Sequence, residues 1–133
     1  MLRYLLDTNI VIYVIKRRPI SALELFNQHG GRMAMSVVTL AELVHGAEKS
    51  SRPQANLMVV EDFCSRLEVL SYGPKAAYHY GAIRSGLERQ GQTIGVNDLH
   101  LAAHARSEGL ALVTNNEREF ARVPALAIEN WAI

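Results

Sequence analysis

Residues 1–19 read MLRYLLDTNIVIYVIKRRP. Tyr4, Leu5 and Leu6 run straight into Asp7, and a second apolar run begins at Ile10 with only Thr8 and Asn9 between them. The first run reads as a short buried strand over about 3 to 7. The second reads as a helix over about 8 to 16, because Lys16, Arg17, Arg18 and Pro19 supply the cations and the Pro that suit a helix C-terminus. A strand passing directly into a helix opens an α/β chain. The carboxylate at that junction needs a reason, since burying an unpaired charge is costly. Asp7 either caps the helix or holds something positive.

The same alternation continues along the chain. A helix over about 20 to 29 ends at Gly30 and Gly31, and MAMSVV from Met33 reads as a strand feeding a helix that starts at Thr39 and stops near Gly46. After Pro53 a helix with Leu57, Val60 and Phe63 on one face leads into the strand LEVLS. Pro74 then starts a long helix to about Gln90. Gly91 and Gly95 bracket a loop, and a helix follows from Asn97 to about Glu108. The strand LALVT, a short turn or helix at NNEREF and a last strand near ALAIEN complete the chain. No repeat or linker interrupts it, so one domain over residues 1–133 is expected. Strands separated by helices predict a three-layer α/β sandwich around a mostly parallel sheet of about five strands, because parallel strands need crossover connections. Such sheets place their sites outside the carboxyl ends of the strands, where Asp7 lies.

Composition narrows the function classes. The 133 residues are 49% hydrophobic and 20% charged, enough for a sizeable core. A net charge of +1, from 14 Lys and Arg against 13 Asp and Glu, neither argues for nor excludes nucleic acid. The single Cys64 cannot form an internal disulfide, and no secretory signal pattern is visible. No charge-free apolar stretch approaches a membrane span. A cytoplasmic protein is the simplest expectation.

Three further acidic positions occupy junctions like that of Asp7. Glu42 lies in SVVTLAEL, Asp98 in IGVND at a helix start, and Glu117 and Glu119 follow the strand ending at Thr114. Each position taken alone has a structural explanation. Thr39 and Glu42 fit a capping box, Thr8 or Asn9 can cap the first helix, Asn97 and Asp98 a later one, and Asn116 with Glu119 another box. Together they fit less well, because capping by Thr8 or Asn9 leaves Asp7 unexplained, and only Arg118 is a nearby cation in sequence. A hard divalent ion, which binds carboxylate oxygens and retains waters, answers the same charge.

The runs LLDTN, SVVTLAEL, IGVNDLHLAAHA and LVTNNEREF, in this order and spacing across the whole chain, resemble a PIN domain. More closely, they are similar to the VapC toxins of bacterial VapBC toxin–antitoxin pairs. The resemblance implies a metal-dependent endoribonuclease with Mg²⁺, or Mn²⁺, held by Asp7, Glu42 and Asp98. A fourth position falls in NNEREF. Many PIN domains carry an Asp where this chain has Asn116, so Glu119 becomes the fourth acid, with Asn116 offering an amide oxygen or a hydrogen bond. Thr8, Asn9 and Thr114 match small polar residues that would orient the ligands. The resemblance further implies an RNA substrate, with tRNA and the anticodon region of initiator tRNA as first candidates. It also implies a homodimer, a VapB-like antitoxin partner, and promoter DNA contacted only through that antitoxin. Arg84, Arg89 and Arg17, with Lys16 and Arg18, are candidate RNA contacts.

Other families fit the chain less well. A haloacid dehalogenase phosphatase needs a second Asp two residues after the first, where this chain has Asn9. A receiver domain needs a strand-end Lys that is missing. A non-catalytic PIN module, binding RNA or protein, predicts lost acids. His100 and His104, at i and i+4, have zinc-pair spacing but no third ligand, so structural or surface roles are expected. His45 and His79 read as core-edge or interface residues. Tyr13, Tyr78 and Tyr80 read as packed rather than base-stacking. Trp131 is expected to seal the last strand, and Cys64 to be a small buried hydrophobe.

Overall fold

A computed structural model describes all residues, 1–133. The elements run β1 (Tyr4–Leu6), α1 (Thr8–Lys16), α2 (Ile20–Gln28), β2 (Met33–Ser36), α3 (Val37–Glu48), α4 (Pro53–Cys64), β3 (Glu68–Leu70), α5 (Pro74–Arg89), α6 (Val96–Glu108), β4 (Ala111–Val113), α7 (Glu117–Phe120) and β5 (Ile128–Glu129). The five strands form one sheet in the order β3-β2-β1-β4-β5, and every pairing is parallel.

The two-residue period of the strands divides the core into two layers. Tyr4 and Leu6, Met33 and Met35, and Val113 face one side, where Ile10, Val11 and Val14 of α1, Phe26 of α2 and Phe63 of α4 cover them. Leu5, Ala34 and Leu112 face the other, under Ile83 and Leu87 of α5 and Leu99, Leu101 and Ala102 of α6. The alanines at 102, 103 and 105 are all fully buried and let α6 lie close to the sheet. Gly109 ends this helix in the left-handed region, φ 68°, where a glycine carries no Cβ penalty. Trp131 closes the first layer, 5.1 Å edge-on to Tyr4 and stacked on His29. No helix is long and apolar enough to cross a membrane.

Several boundaries differ from those read in the sequence, each for a local reason. Strand β2 stops at Ser36 and α3 begins at Val37, because the Ser36 side chain accepts the Val38 N–H at 3.0 Å and takes the cap. Thr39 therefore sits inside the helix, and the Thr39–Glu42 capping box does not form. The same helix continues past Gly46 to Glu48. Helix α6 starts at Val96, with Gly95 as its N-cap, rather than at Asn97, and Asn116, although it precedes α7, makes no side-chain cap bond. Helix α1 is capped neither by Thr8 nor by Asn9: the cap is Asp7 itself. Cys64 is half-buried rather than buried.

Candidate functional site

The chain builds the sheet outward from β1 through β2 to β3, then returns to the other side of β1 with β4. The reversal leaves a crevice between the carboxyl ends of β1 and β4, the usual ligand position in an open α/β sheet. Asp7 ends β1 there, only 4% exposed. Its backbone N–H donates to the Val113 carbonyl at 2.8 Å, which continues the strand pairing to the last residue before the helix. Oδ1 accepts the Thr8 N–H at 2.7 Å, and Oδ2 accepts the hydroxyl of Thr114, buried at the end of β4, at 2.8 Å. Thr114 Oγ1 in turn accepts the Asn116 N–H at 2.9 Å. Burial pushes the Asp7 carboxyl above its ordinary range; the two hydrogen bonds oppose this, and Glu42 adds to it.

Glu42 projects half-buried from α3, and its Oε1 accepts the Thr8 hydroxyl at 2.9 Å. Asp98, in the first turn of α6, is half-buried as well. Its carboxyl is pushed up to about 6, first by burial and then by the charges of Asp7, Glu119 and Glu42. Four segments distant in sequence thus bring Asp7, Glu42, Asp98 and Glu119 into one electrostatic neighbourhood. Glu117 points elsewhere, to Asn130 Nδ2 at 3.0 Å.

No cation offsets these acids. The ion pairs of the chain are Arg66–Asp62 and Arg84–Glu88, both exposed pairs within single helices. No three His, Cys, Asp or Glu side chains stand close enough together to enclose an ion. The acids therefore form an open cluster. An open cluster suits Mg²⁺, which takes one or two carboxylates and keeps several waters, better than an ion that needs a full cage of side chains. The donor set is all oxygen and surplus in negative charge, so the residues present fit a hard divalent cation.

The candidate cations scatter. Lys16 lines a groove of about 420 Å³ that runs from Thr8 and Glu42 past Ile12 and Gly46 to Val59. Arg84 stands over a smaller cleft with Thr93, Val96 and Leu99, at the start of the helix that carries Asp98. It is held by the Tyr80 hydroxyl at 2.7 Å and by Glu88. Arg89 donates to Ser85, and Arg17 lies beside Asp62 and Arg66 in a separate depression. Asn9 is exposed on the first turn of α1. His104 is fully buried with Nδ1 2.7 Å from Ser36 Oγ. His100 stacks on Tyr80 and meets the Tyr72 hydroxyl at 2.9 Å.

Sequence reasoning missed the part played by Thr39. Its hydroxyl lies 3.1 Å from Thr8 Oγ1 and is fully buried. The signal was the three-residue interval from Thr39 to Glu42, which puts both on one helix face whether or not either caps it.

A family model described as PIN domain matches residues 4–126. The chain is similar to Ribonuclease VapC2 of Haemophilus influenzae, 62% identical over 131 residues that cover 98% of this chain and 99% of that protein. It is 53% identical over 132 residues to the tRNA(fMet)-specific endonuclease VapC of Shigella flexneri, covering 99% and 100% of the two. Its fold matches a chain in the crystal structure of DNA-bound VapBC from Salmonella typhimurium with a TM-score of 0.94 and 52% identity, covering 98% and 99%.

Proposed function

The chain belongs to the PIN-domain family, among its VapC ribonucleases, and from that premise we propose that it is a metal-dependent endoribonuclease that hydrolyses phosphodiester bonds in RNA. The observation that carries the chemistry is the gathering of Asp7, Glu42, Asp98 and Glu119 into one electrostatic neighbourhood, with Asp7 at the sheet's switch point and no Lys or Arg paired to any of them. Asp7, Asp98 and Glu42 would hold Mg²⁺, or Mn²⁺ in its place. A bound divalent ion there supplies an acidified water and neutralises charge developing on the phosphodiester.

The protein's own contribution is positional. Thr8 N–H and the Thr114 hydroxyl hold both oxygens of Asp7, so this carboxylate would meet an ion in one orientation. Burial first, and then its acidic neighbours, raise Asp98 to about 6, so a divalent ion would be held more tightly as pH rises through about 6 and this carboxylate ionises. Glu42 would bind directly or through water, and Glu119 would orient water at the outer edge. Thr8, Thr114 and Asn116 position these groups, while Asn9 lies exposed beside them. Lys16 and Arg84 are better placed than Arg17 or Arg89 to meet an RNA strand entering the crevice.

The substrate we favour is tRNA, with initiator tRNA first, supported by the specificity named for the Shigella flexneri relative. The single domain of residues 1–133 works in the cytoplasm as a homodimeric toxin, restrained by a VapB-like antitoxin through which it reaches promoter DNA. The solved VapBC complex from Salmonella typhimurium supports that pairing. A non-catalytic PIN module would not keep the acids assembled. The test is incubation of purified protein with total RNA, with and without Mg²⁺, followed by mapping of new 5′ ends. Discrete tRNA cuts that require the ion and vanish in D7N and D98N are expected. Full-rate cleavage in excess EDTA, or in both variants, would overturn the mechanism.

A further inference from the structure

Ser36 takes the cap of α3, so the hydroxyl of Thr39 is free of that duty. It is fully buried in the third position of the helix, and its side-chain partner is Thr8 Oγ1, across on α1, at 3.1 Å. Thr8 Oγ1 also lies 2.9 Å from Glu42 Oε1. A hydroxyl has one hydrogen, and an ionised carboxylate only accepts. The order of donation follows: Thr39 donates to Thr8, and Thr8 donates to Glu42.

That order assigns Thr39 a role. We propose that Thr39 is a positioning residue for the metal-dependent reaction: its hydroxyl sets the Thr8 hydroxyl, which holds the Glu42 carboxylate toward Asp7 and Asp98. The inference rests on the metallonuclease reading given above. Its physical basis is the repulsion Glu42 meets in this cluster. A half-buried glutamate with three side-chain torsions, set among like charges, relaxes toward water unless something holds it. Thr8 supplies that hold with its only proton. Left alone, the Thr8 hydroxyl could turn to the solvent or a backbone carbonyl; with one lone pair filled by Thr39, the remaining proton points at Glu42. Thr39 and Glu42, three residues apart on one face of α3, thus close a short ring through α1, the helix that Asp7 caps.

Valine has the shape of threonine without the hydroxyl, and serine keeps the hydroxyl, so T39V and T39S separate the bond from the packing. The full-length chain should be titrated with Mn²⁺ by electron paramagnetic resonance, and kcat and KM measured on tRNA with thermal melting alongside. T39V should bind Mn²⁺ about tenfold more weakly and lose kcat to a similar degree, with KM for RNA near that of wild type. T39S should keep both, and T8V should resemble T39V, which covers the case in which T39V does not fold. In an E42Q background, T39V should produce no further loss. If T39V matches wild type in Mn²⁺ affinity and kcat, or costs as much beside E42Q as alone, the positioning role is refuted and Thr39 only packs α3. Wild-type protein that neither binds Mn²⁺ nor cuts RNA would instead refute the metallonuclease reading itself.

Discussion

Asp98 is an acid of the site with no hydrogen-bond donor or ion pair to compensate it. Asp7 has two hydrogen-bond donors and Glu42 has one, whereas burial and three neighbouring carboxylates act on Asp98 in one direction. An aspartate ordinarily near 3.8 that stands at about 6 in the folded chain binds its proton more tightly folded than unfolded. The stability contributed by that proton is full below about pH 4 and is lost as pH rises through about 6. The loss is about 2 kcal/mol, with allowance for water that reaches this half-buried group. In EDTA, wild type and D98N should therefore melt together near pH 4, and D98N should melt several degrees higher at pH 7. Coincident melting curves at pH 7 would show that the acids do not repel one another as the geometry implies. At the same scale the structure meets the first alternative posed by LLDTN, since Asp7 is the N-cap of α1. One carboxylate oxygen caps α1 and the other accepts the Thr114 hydroxyl, and the group still lies within electrostatic reach of Glu42 and Asp98.

At the scale of elements, the junction of β2 and α3 decides where Glu42 and Thr39 point. The run MAMSVVTLAEL is ambiguous by periodicity, because Val37 and Val38 extend a strand pattern and Thr39 offers a plausible cap. Ser36 prevails because its hydroxyl reaches the Val38 N–H and is itself fixed from below by His104 Nδ1 at 2.7 Å. That second bond comes from α6, which is distant in sequence and invisible to any local rule. Burial holds the His104 imidazole below its ordinary range, with Glu108 and the Ser71 backbone opposing, and Nε2 has no partner in hydrogen-bond geometry. Ser36→Ala removes a cap and a partner of a buried ring at once. It should destabilise the protein by about 1–3 kcal/mol, measured by urea denaturation. A cost within error of zero would mean that the bond from α6 to the start of α3 contributes nothing net.

For the whole molecule, the consequence of an uncompensated acidic cluster is a coupling between ion binding and folding. An ion that binds only the native state stabilises it by an amount that grows with concentration, about 2.7 kcal/mol at one hundred times its dissociation constant. Mg²⁺ should therefore raise the melting temperature of wild type relative to EDTA, and D7N and D98N should lose most of that rise. An equal rise in D98N would place the ion elsewhere. The same scale shows why the cations were hard to choose from sequence. Lys16 and Arg17 are adjacent, yet one lines the groove beside Glu42 and the other lines a separate depression with Asp62 and Arg66, since helix α1 ends between them with Arg17 in the left-handed region.

The sequence by itself determined the alternation of strand and helix, the parallel sheet and the acids at its junctions. These depend on hydrophobic period and on residues that end one element and start the next, which are local properties. The four motifs were also enough to recognise the family. Only the tertiary structure decided which side chain caps which helix, that Asp7 both caps and faces the crevice, that no Lys or Arg pairs with the acids there, and that Thr39 reaches Glu42 through Thr8. Each of these is a competition for one hydrogen bond or one charge between groups up to 107 residues apart, as in the bond from Thr114 to Asp7. Folding settles such competitions by distance and burial, neither of which a linear pattern contains.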